Sequence, residues 1–484
     1  MDGSGVFPYT AVHVWLAWMH AHFACTGEDI VAGWDGERRL RRRGALTLVG
    51  AAGLAACGRQ PAATGKQPGG STAGGAVTLH FLGRGGPGYE AYFRYVTQTA
   101  FPKLHPRVRV RLDYVPNAQW LQKFETELAG GVPPNALLFG DARLRQYAAK
   151  GVLARLDAPF GKTFHRSDFL PVALENQYVG AHLYGLPLDL AVWALFYNKD
   201  LFDKAHLPYP DSSWTWAQYF QMARHLTRDL HGRSAGEKGF DPHQVVQYGC
   251  GSALLTGFET VVDSYGVKAL DVAAGRCNLD APEAVAAMQM LADVGARHYA
   301  MPSPAFKESI GPAFHAGNIA MSVDGSWRIS TLKAAKVPFR WGVAMPPQGP
   351  SGRVILAEAS ENSIPARAAH QTEAWELIAF MGSAQGQRLA YQYGVASVPS
   401  IRSVATAVGA KDKVTAALVA MADRATLPYW CRALSDATLL QLFSNQLTDL
   451  WTGRRTARQV LPGVARSVTA ILAKDRATLA KLGG

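Results

Sequence analysis

From residue 77 onward the chain alternates between strand-like and helix-like patterns. Val77-Thr-Leu-His-Phe-Leu82 alternates apolar and polar residues as a half-buried strand. A glycine loop follows, Gly83-Arg-Gly-Gly-Pro-Gly88, and Tyr89–Leu104 reads as a helix. Val108-Arg-Val-Arg-Leu-Asp113 alternates as a second strand, a helix is predicted from about Ala118 to Ala129, and Ala136-Leu-Leu-Phe139 has the continuous apolar run of a buried strand. Further on, the pattern predicts helices over 217–226 and 374–380 and a strand over 319–323. Strands that alternate with helices build a parallel sheet, so the fold class is α/β. In such sheets ligands bind beyond the carboxyl ends of the strands, where the glycine loop and Asp141 fall.

The residues before 77 follow a different logic. Arg38, Arg39 and Arg41–Arg43 form a basic cluster, followed by the uncharged run Gly44–Leu54 and then Ala55-Ala56-Cys57. A basic region, a short apolar core and small residues before a cleavage point make an export signal, too short to span a bilayer stably. Leu54-Ala55-Ala56-Cys57 resembles a bacterial lipobox, which implies lipidation of Cys57 and a membrane tether. Arg42-Arg43-Gly-Ala-Leu46 also resembles a twin-arginine signal, so the export route stays open. Residues 58–76 are Gly-, Pro-, Ser-, Thr- and Ala-rich, a flexible tether spanning on the order of 20–25 Å. Residues 1–37 are then an unusual extension ahead of a signal, and an assigned start that lies too early is the simpler reading, with Val31 a candidate start.

Composition narrows the function classes. About 400 residues remain after the tether, more than one typical domain, and the whole chain is 48% hydrophobic and 18% charged. The formal charge is +12, but the basic residues outside the signal are scattered, so a solvated surface is expected and nucleic acid is not. Cys250, Cys277 and Cys431 remain after the signal, allowing at most one disulfide, with Cys250–Cys277 the candidate pair. No CxxC, HExxH or spaced Cys/His set is present, so neither a metal site nor a cofactor is expected.

Gly83-x-Gly85-x-x-Gly88 does match the dinucleotide fingerprint, with a strand before it, a helix after it and Asp113 further on. Pro87 removes one backbone donor from that loop, and Asp113 lies beyond the usual spacing. An exported dinucleotide-dependent oxidoreductase is therefore the weaker alternative. The pairs Asp141/Asp189 and Glu358/Glu361 admit a carbohydrate hydrolase, yet no GxSxG elbow or Walker pattern accompanies them. A non-enzymatic role is expected.

Several segments, in order, carry a family resemblance. They are Leu183-Tyr-Gly-Leu-Pro-Leu-Asp189 with Ala194–Phe202, the Trp214-Thr215-Trp216 helix start, and Ala313–Met321 with Gly325-Ser326-Trp327. Trp341–Pro346, Ala374–Phe380 and Gly394–Pro399 complete the set. Together they resemble carbohydrate-type extracellular solute-binding proteins, the receptors of ATP-binding cassette (ABC) importers related to maltose-binding protein. The resemblance implies a two-lobe, type II periplasmic-binding-protein-like fold with discontinuous lobes and a ligand cleft between them. It places one lobe at about 77–190 and 345–383 and the other at about 191–344 and 384–484. Crossings would fall near Asp189–Ala194, Trp341–Met345 and Ser383–Ala384. It also implies a monomer, a small carbohydrate ligand and a separate ABC permease as partner.

A sugar presents C–H faces to aromatic rings and hydroxyls to fixed donors and acceptors. Trp327, with Gly325 and Ser326, is the leading aromatic candidate, a core anchor being the other reading. Trp193 in the first crossing segment faces either cleft or core, and Tyr429 and Trp430 after Pro428 match an aromatic cleft position of the family loosely. Trp214 and Trp216 are assigned mainly to packing. Asp141 is either a ligand group or a helix N-cap. Asp189 is a candidate ligand acceptor, and Glu358 and Glu361 are either ligand contacts or an exposed turn. Arg84 and Tyr89 flank the glycine loop; Arg84 suits a ligand anion or neutralises Asp141.

Overall fold

The structure, a computed structural model, describes residues 76–140, 143–255, 257–302 and 314–482. The extension, export signal, Cys57, tether and Asp141 lie outside the described residues.

The first sheet has the order Val108–Val115, Val77–Arg84, Ala136–Leu138, Glu361–Ser363, Leu186–Pro187. Its first three strands run parallel and the last two join antiparallel. All three residues of Ala136–Leu138 are buried, as expected of a strand covered on both faces. Helical structure runs from Pro87 to Leu104, with a π turn at Val96–Ala100. That turn directly precedes Pro102, which has no N–H to give an α-type bond, so the widened turn accommodates the proline.

The second sheet has the order Trp341–Ala344, Ala191–Asn198, Ile319–Gly325, Val245–Cys250, Arg228–Asp229, with Ala357–Glu358 also pairing along Ala191–Asn198. Every residue of Ile319–Gly325 is buried. The helix Trp216–Leu226 starts at a capping box between Thr215 and Gln218 and buries Trp216, which stacks on Phe220. Trp214 is buried in the same core.

The chain leaves the first sheet after Pro187 and enters the second at Ala191. Trp341–Ala344 stays in the second sheet, so the return comes at Ala359–Ser360, later than the sequence suggests. The resemblance placed this crossing at Trp341–Met345, and local strand patterns, which carry no sheet label, could not correct it. Ala390, Val395 and Val404 pack into the core of the first sheet, so the segment after Ser383 does not pass at once to the second lobe. Three passing segments are tied together: Leu188 N–H donates to Ser360 O (2.8 Å), and Leu190 N–H to Val398 O (2.8 Å).

Cys250, Cys277 and Cys431 are all buried and free, which corrects the expected Cys250–Cys277 bridge. Cys250 sits in a sheet strand and Cys277 in a separate two-stranded ribbon, a separation that residue spacing does not reveal. Among the described residues no helix is long and apolar enough to cross a membrane.

Candidate functional site

Three tryptophans from separate parts of the chain meet at one end of the second sheet. Gly325 and Trp193 are register partners on adjacent antiparallel strands. Gly325 is required by a close approach: a Cβ there would lie 2.1 Å from the Trp327 ring. Trp327 therefore lies back over the strand end and meets Trp193 edge-on, with centroids 5.9 Å apart and planes at 88°. Trp430, on the short helix Tyr429–Arg432, adds a third ring 5.7 Å from Trp193. Its indole Nε1 donates to Glu358 Oε2 at 2.7 Å, a charge-assisted bond that fixes the ring.

Exposure separates these rings. Trp327 is 42% exposed, whereas Trp193 is 4% and Trp430 8%. The buried Trp193 Nε1 has no hydrogen-bond partner among the described residues. An unmet indole donor costs free energy on the order of 1–3 kcal/mol, so an acceptor brought there has something to gain.

The first sheet supplies a polar group. Arg84 is buried; its Nε donates to Phe139 O (2.9 Å) and its Nη1 to Asn117 Oδ1 (3.0 Å), and the guanidinium lies 4.9 Å from the Trp120 ring centroid. Tyr89 OH donates to Asp189 Oδ2 (3.0 Å), while Asp189 Oδ1 accepts from Ser360 N–H (2.9 Å). Burial raises the Asp189 carboxyl above its ordinary value, against the opposing pull of its Ser360 and Tyr89 hydrogen bonds. Burial, then the Asp189 charge, raises the Tyr89 hydroxyl well above the ordinary tyrosine value. Ser360 lies two residues after Glu358, so the aromatic and polar groups meet at this segment.

The structure thus brings Trp193, Gly325, Trp327, Glu358 and Trp430 together, and joins Tyr89 to Asp189 beside Arg84. Three expected ligand residues go elsewhere. Ser326 is fully buried; its hydroxyl accepts from Val192 N–H (3.1 Å) and its carbonyl from Ser397 Oγ (2.8 Å), so it staples the loop to two passing segments. Tyr429 is 1% exposed and stacks on Phe258 at 5.8 Å, a core position. Helical geometry turns adjacent residues to different faces, so Trp430 reaches the site while Tyr429 does not. Glu361 is buried within the first sheet, where its Oε2 accepts from Asn176 Nδ2 at 3.3 Å. Asn117 and Ser360, which orient Arg84 and Asp189, went unread in the sequence because single polar loop residues carry no periodic signal.

The spacing of Gly83, Gly85 and Gly88 has a packing cause. A Cβ on Gly88 would lie 2.6 Å from Tyr393 O, and one on Gly85 would lie 2.5 Å from the Tyr89 ring. His80, Asp113 and Glu127 come close enough to hold a metal ion, but Lys123 Nζ already bridges both carboxylates at 3.0 and 3.2 Å.

The family model of bacterial extracellular solute-binding proteins matches residues 86–388. A binding protein of Brucella abortus is 26% identical over 309 residues, covering 60% of this chain and 68% of that protein. The multiple sugar-binding protein of Streptococcus mutans is 22% identical over 359 residues, 72% of this chain and 80% of that one. Among solved structures, an ABC substrate-binding protein from Listeria monocytogenes in complex with cycloalternan superposes with a TM-score of 0.70 at 20% identity, covering 82% of this chain and 99% of that one. Maltose-bound MalE3 of T. maritima superposes with a TM-score of 0.67 at 20% identity, covering 82% of this chain and 100% of that one. These likenesses show a two-lobe, type II periplasmic-binding-protein-like fold. The two sheets, the matched span and the superpositions agree, and the chain belongs to the bacterial extracellular solute-binding proteins.

Proposed function

We propose that the protein captures a sugar or related polyol between its lobes and delivers it, unreacted, to an ABC importer. The observation that carries this is the aromatic trio. The exposed Trp327 ring offers a stacking face, backed by the buried Trp193 ring and by Trp430, which Glu358 anchors. The sugar ligands of the structural neighbours support the same class. Trp327, Trp193, Trp430 and Glu358 form the contact surface, with Arg84, Tyr89 and Asp189 shaping the opposite side.

Ligand contact from both lobes favours the closed form over the open one, and the closed shape is what a permease reads. The receptor acts outside the cytoplasm as a monomer, held at the membrane by lipid on Cys57 and free to move over the length of its tether. The hinge is made by chain segments at 188–190, 359–360 and Val398, joined by single backbone hydrogen bonds.

A thermal-shift screen of the full chain against neutral sugars, anionic sugars, polyols and nicotinamide dinucleotides tests the reading. Ligand at a hundred times its dissociation constant adds about 2.7 kcal/mol, which a melting curve resolves. A shift with one sugar or polyol class, with the ligand recovered intact, is expected. A shift with dinucleotides only, or turnover of the bound sugar, would overturn it.

A further inference from the structure

A cavity of about 280 Å³, lined by none of the three tryptophans, opens where residues 353–357 run beside 424–427. Thr426 N–H donates to Ile355 O (2.9 Å) and Ala357 N–H to Thr426 O (3.0 Å), so the wall is held by backbone pairing. Val354, Leu356 and Leu427 give it apolar lining, and Lys268, Arg353, Arg424 and Arg432 are its cations, against the single acid Asp263.

Charge accounting leaves this pocket positive. Lys268 Nζ pairs with Asp271 at 3.1 Å, and Arg432 Nη2 pairs with buried Glu259 at 2.5 Å, yet the buried Arg432 Nε has no acceptor among the described residues. Among the described residues Arg353 donates only to neutral groups: Pro346 O (2.6 Å), Ser212 O (2.5 Å) and Met345 Sδ (3.3 Å). The Arg424 side chain has no hydrogen bond or ion pair among the described residues. Burial, and then the nearby Arg424 charge, lowers the Arg353 value, so the two guanidiniums repel each other. Asp263, held by Ala269 N–H at 2.8 Å, faces Arg432 and Lys268, which leaves Arg353 and Arg424 without an acid partner among the described residues. The guanidiniums of Arg353 and Arg424, with the unmet Nε of Arg432, match the several oxygens and negative charge of an oxyanion.

We infer that this pocket is a second ligand site, separate from the sugar-contacting surface, which takes a small oxyanion such as phosphate between Arg353, Arg424 and Arg432. The volume suits an inorganic oxyanion or a small molecule bearing one, rather than an oligosaccharide.

Calorimetric titration of the full chain with inorganic phosphate, at constant ionic strength in chloride, tests this directly. Saturable single-site binding is expected, displaced by sulfate. Arg424→Gln, at an exposed position, should weaken it by about tenfold or more while leaving the melting temperature in chloride unchanged. Arg353→Gln should weaken it similarly, and Arg424→Gln decides the matter if Arg353→Gln does not fold. Absence of saturable binding at millimolar phosphate, or equal binding by wild type and Arg424→Gln, would overturn the site.

Discussion

Trp327 leaves 42% of its surface open, whereas Arg84, in the polar group of the first sheet, keeps only 6%. The polar group is spent on itself: Arg84 is held by Phe139 and Asn117, and Asp189 by Tyr89 and Ser360. The aromatic group has an open ring face and an indole donor with no partner among the described residues. Groups whose hydrogen bonds are already made shape a site, while groups with unmet valence recognise a ligand. On the proposed function, the difference assigns stability to the polar group and affinity to the aromatic one.

Four substitutions test that division. Arg84→Met should have the largest effect, a loss of about 2–4 kcal/mol in urea unfolding, because it strands the buried Phe139 carbonyl and removes the cation over Trp120. Unchanged stability with lost affinity would instead put Arg84 on the ligand. Trp327→Ala should lower sugar affinity by about 10- to 100-fold with unfolding little changed, the size of effect of an aromatic anchor. Wild-type affinity in titration calorimetry would remove Trp327 from the site. Glu358→Gln keeps an acceptor for Trp430 but removes the charge that strengthens the bond. A loss of about three- to tenfold in affinity is the expected result. A loss as large as that of Trp327→Ala would mean that the carboxylate itself touches the ligand.

Asp189→Asn probes the smallest effect, through pH. Burial raises the folded carboxyl above its ordinary value of 3.8, so the folded state holds the proton more tightly than the unfolded state. Stability from this group is therefore greatest at low pH and falls as pH rises from 3.8 through the raised folded value. Asn does not titrate, so the variant's melting temperature relative to wild type should increase between about pH 4 and pH 7. A difference independent of pH would show that Asp189 is not charged at the expense of the fold.

The strands and helices of the first 60 residues after the tether were legible because their periodicity is strong. The helix start at Trp214-Thr215-Trp216 was legible by resemblance, and the Thr215–Gln218 capping box that sets it needs no tertiary partner. The crossing near 359–360 was not legible, since Glu358 and Glu361 read as ligand contacts or an exposed turn, whereas Ala357–Glu358 and Glu361–Ser363 pair in different sheets. Within the site, Trp327 and Gly325 stood out together by motif, but Ser326 between them looked equally exposed. Only its bond from Val192, a residue far away along the chain, turns it inward.

Local pattern by itself determined the α/β class, the glycine loop and the family, because periodicity and motif order are properties of neighbouring residues. The export signal and tether were likewise read from composition. Tertiary structure decided which residues share the site: Trp193, Trp327, Glu358 and Trp430 converge from four separate segments. It also decided that Tyr429 is core and that the three cysteines stay apart. Those outcomes depend on which surfaces are left when the sheets have packed, and burial of that kind is settled by contacts between distant segments.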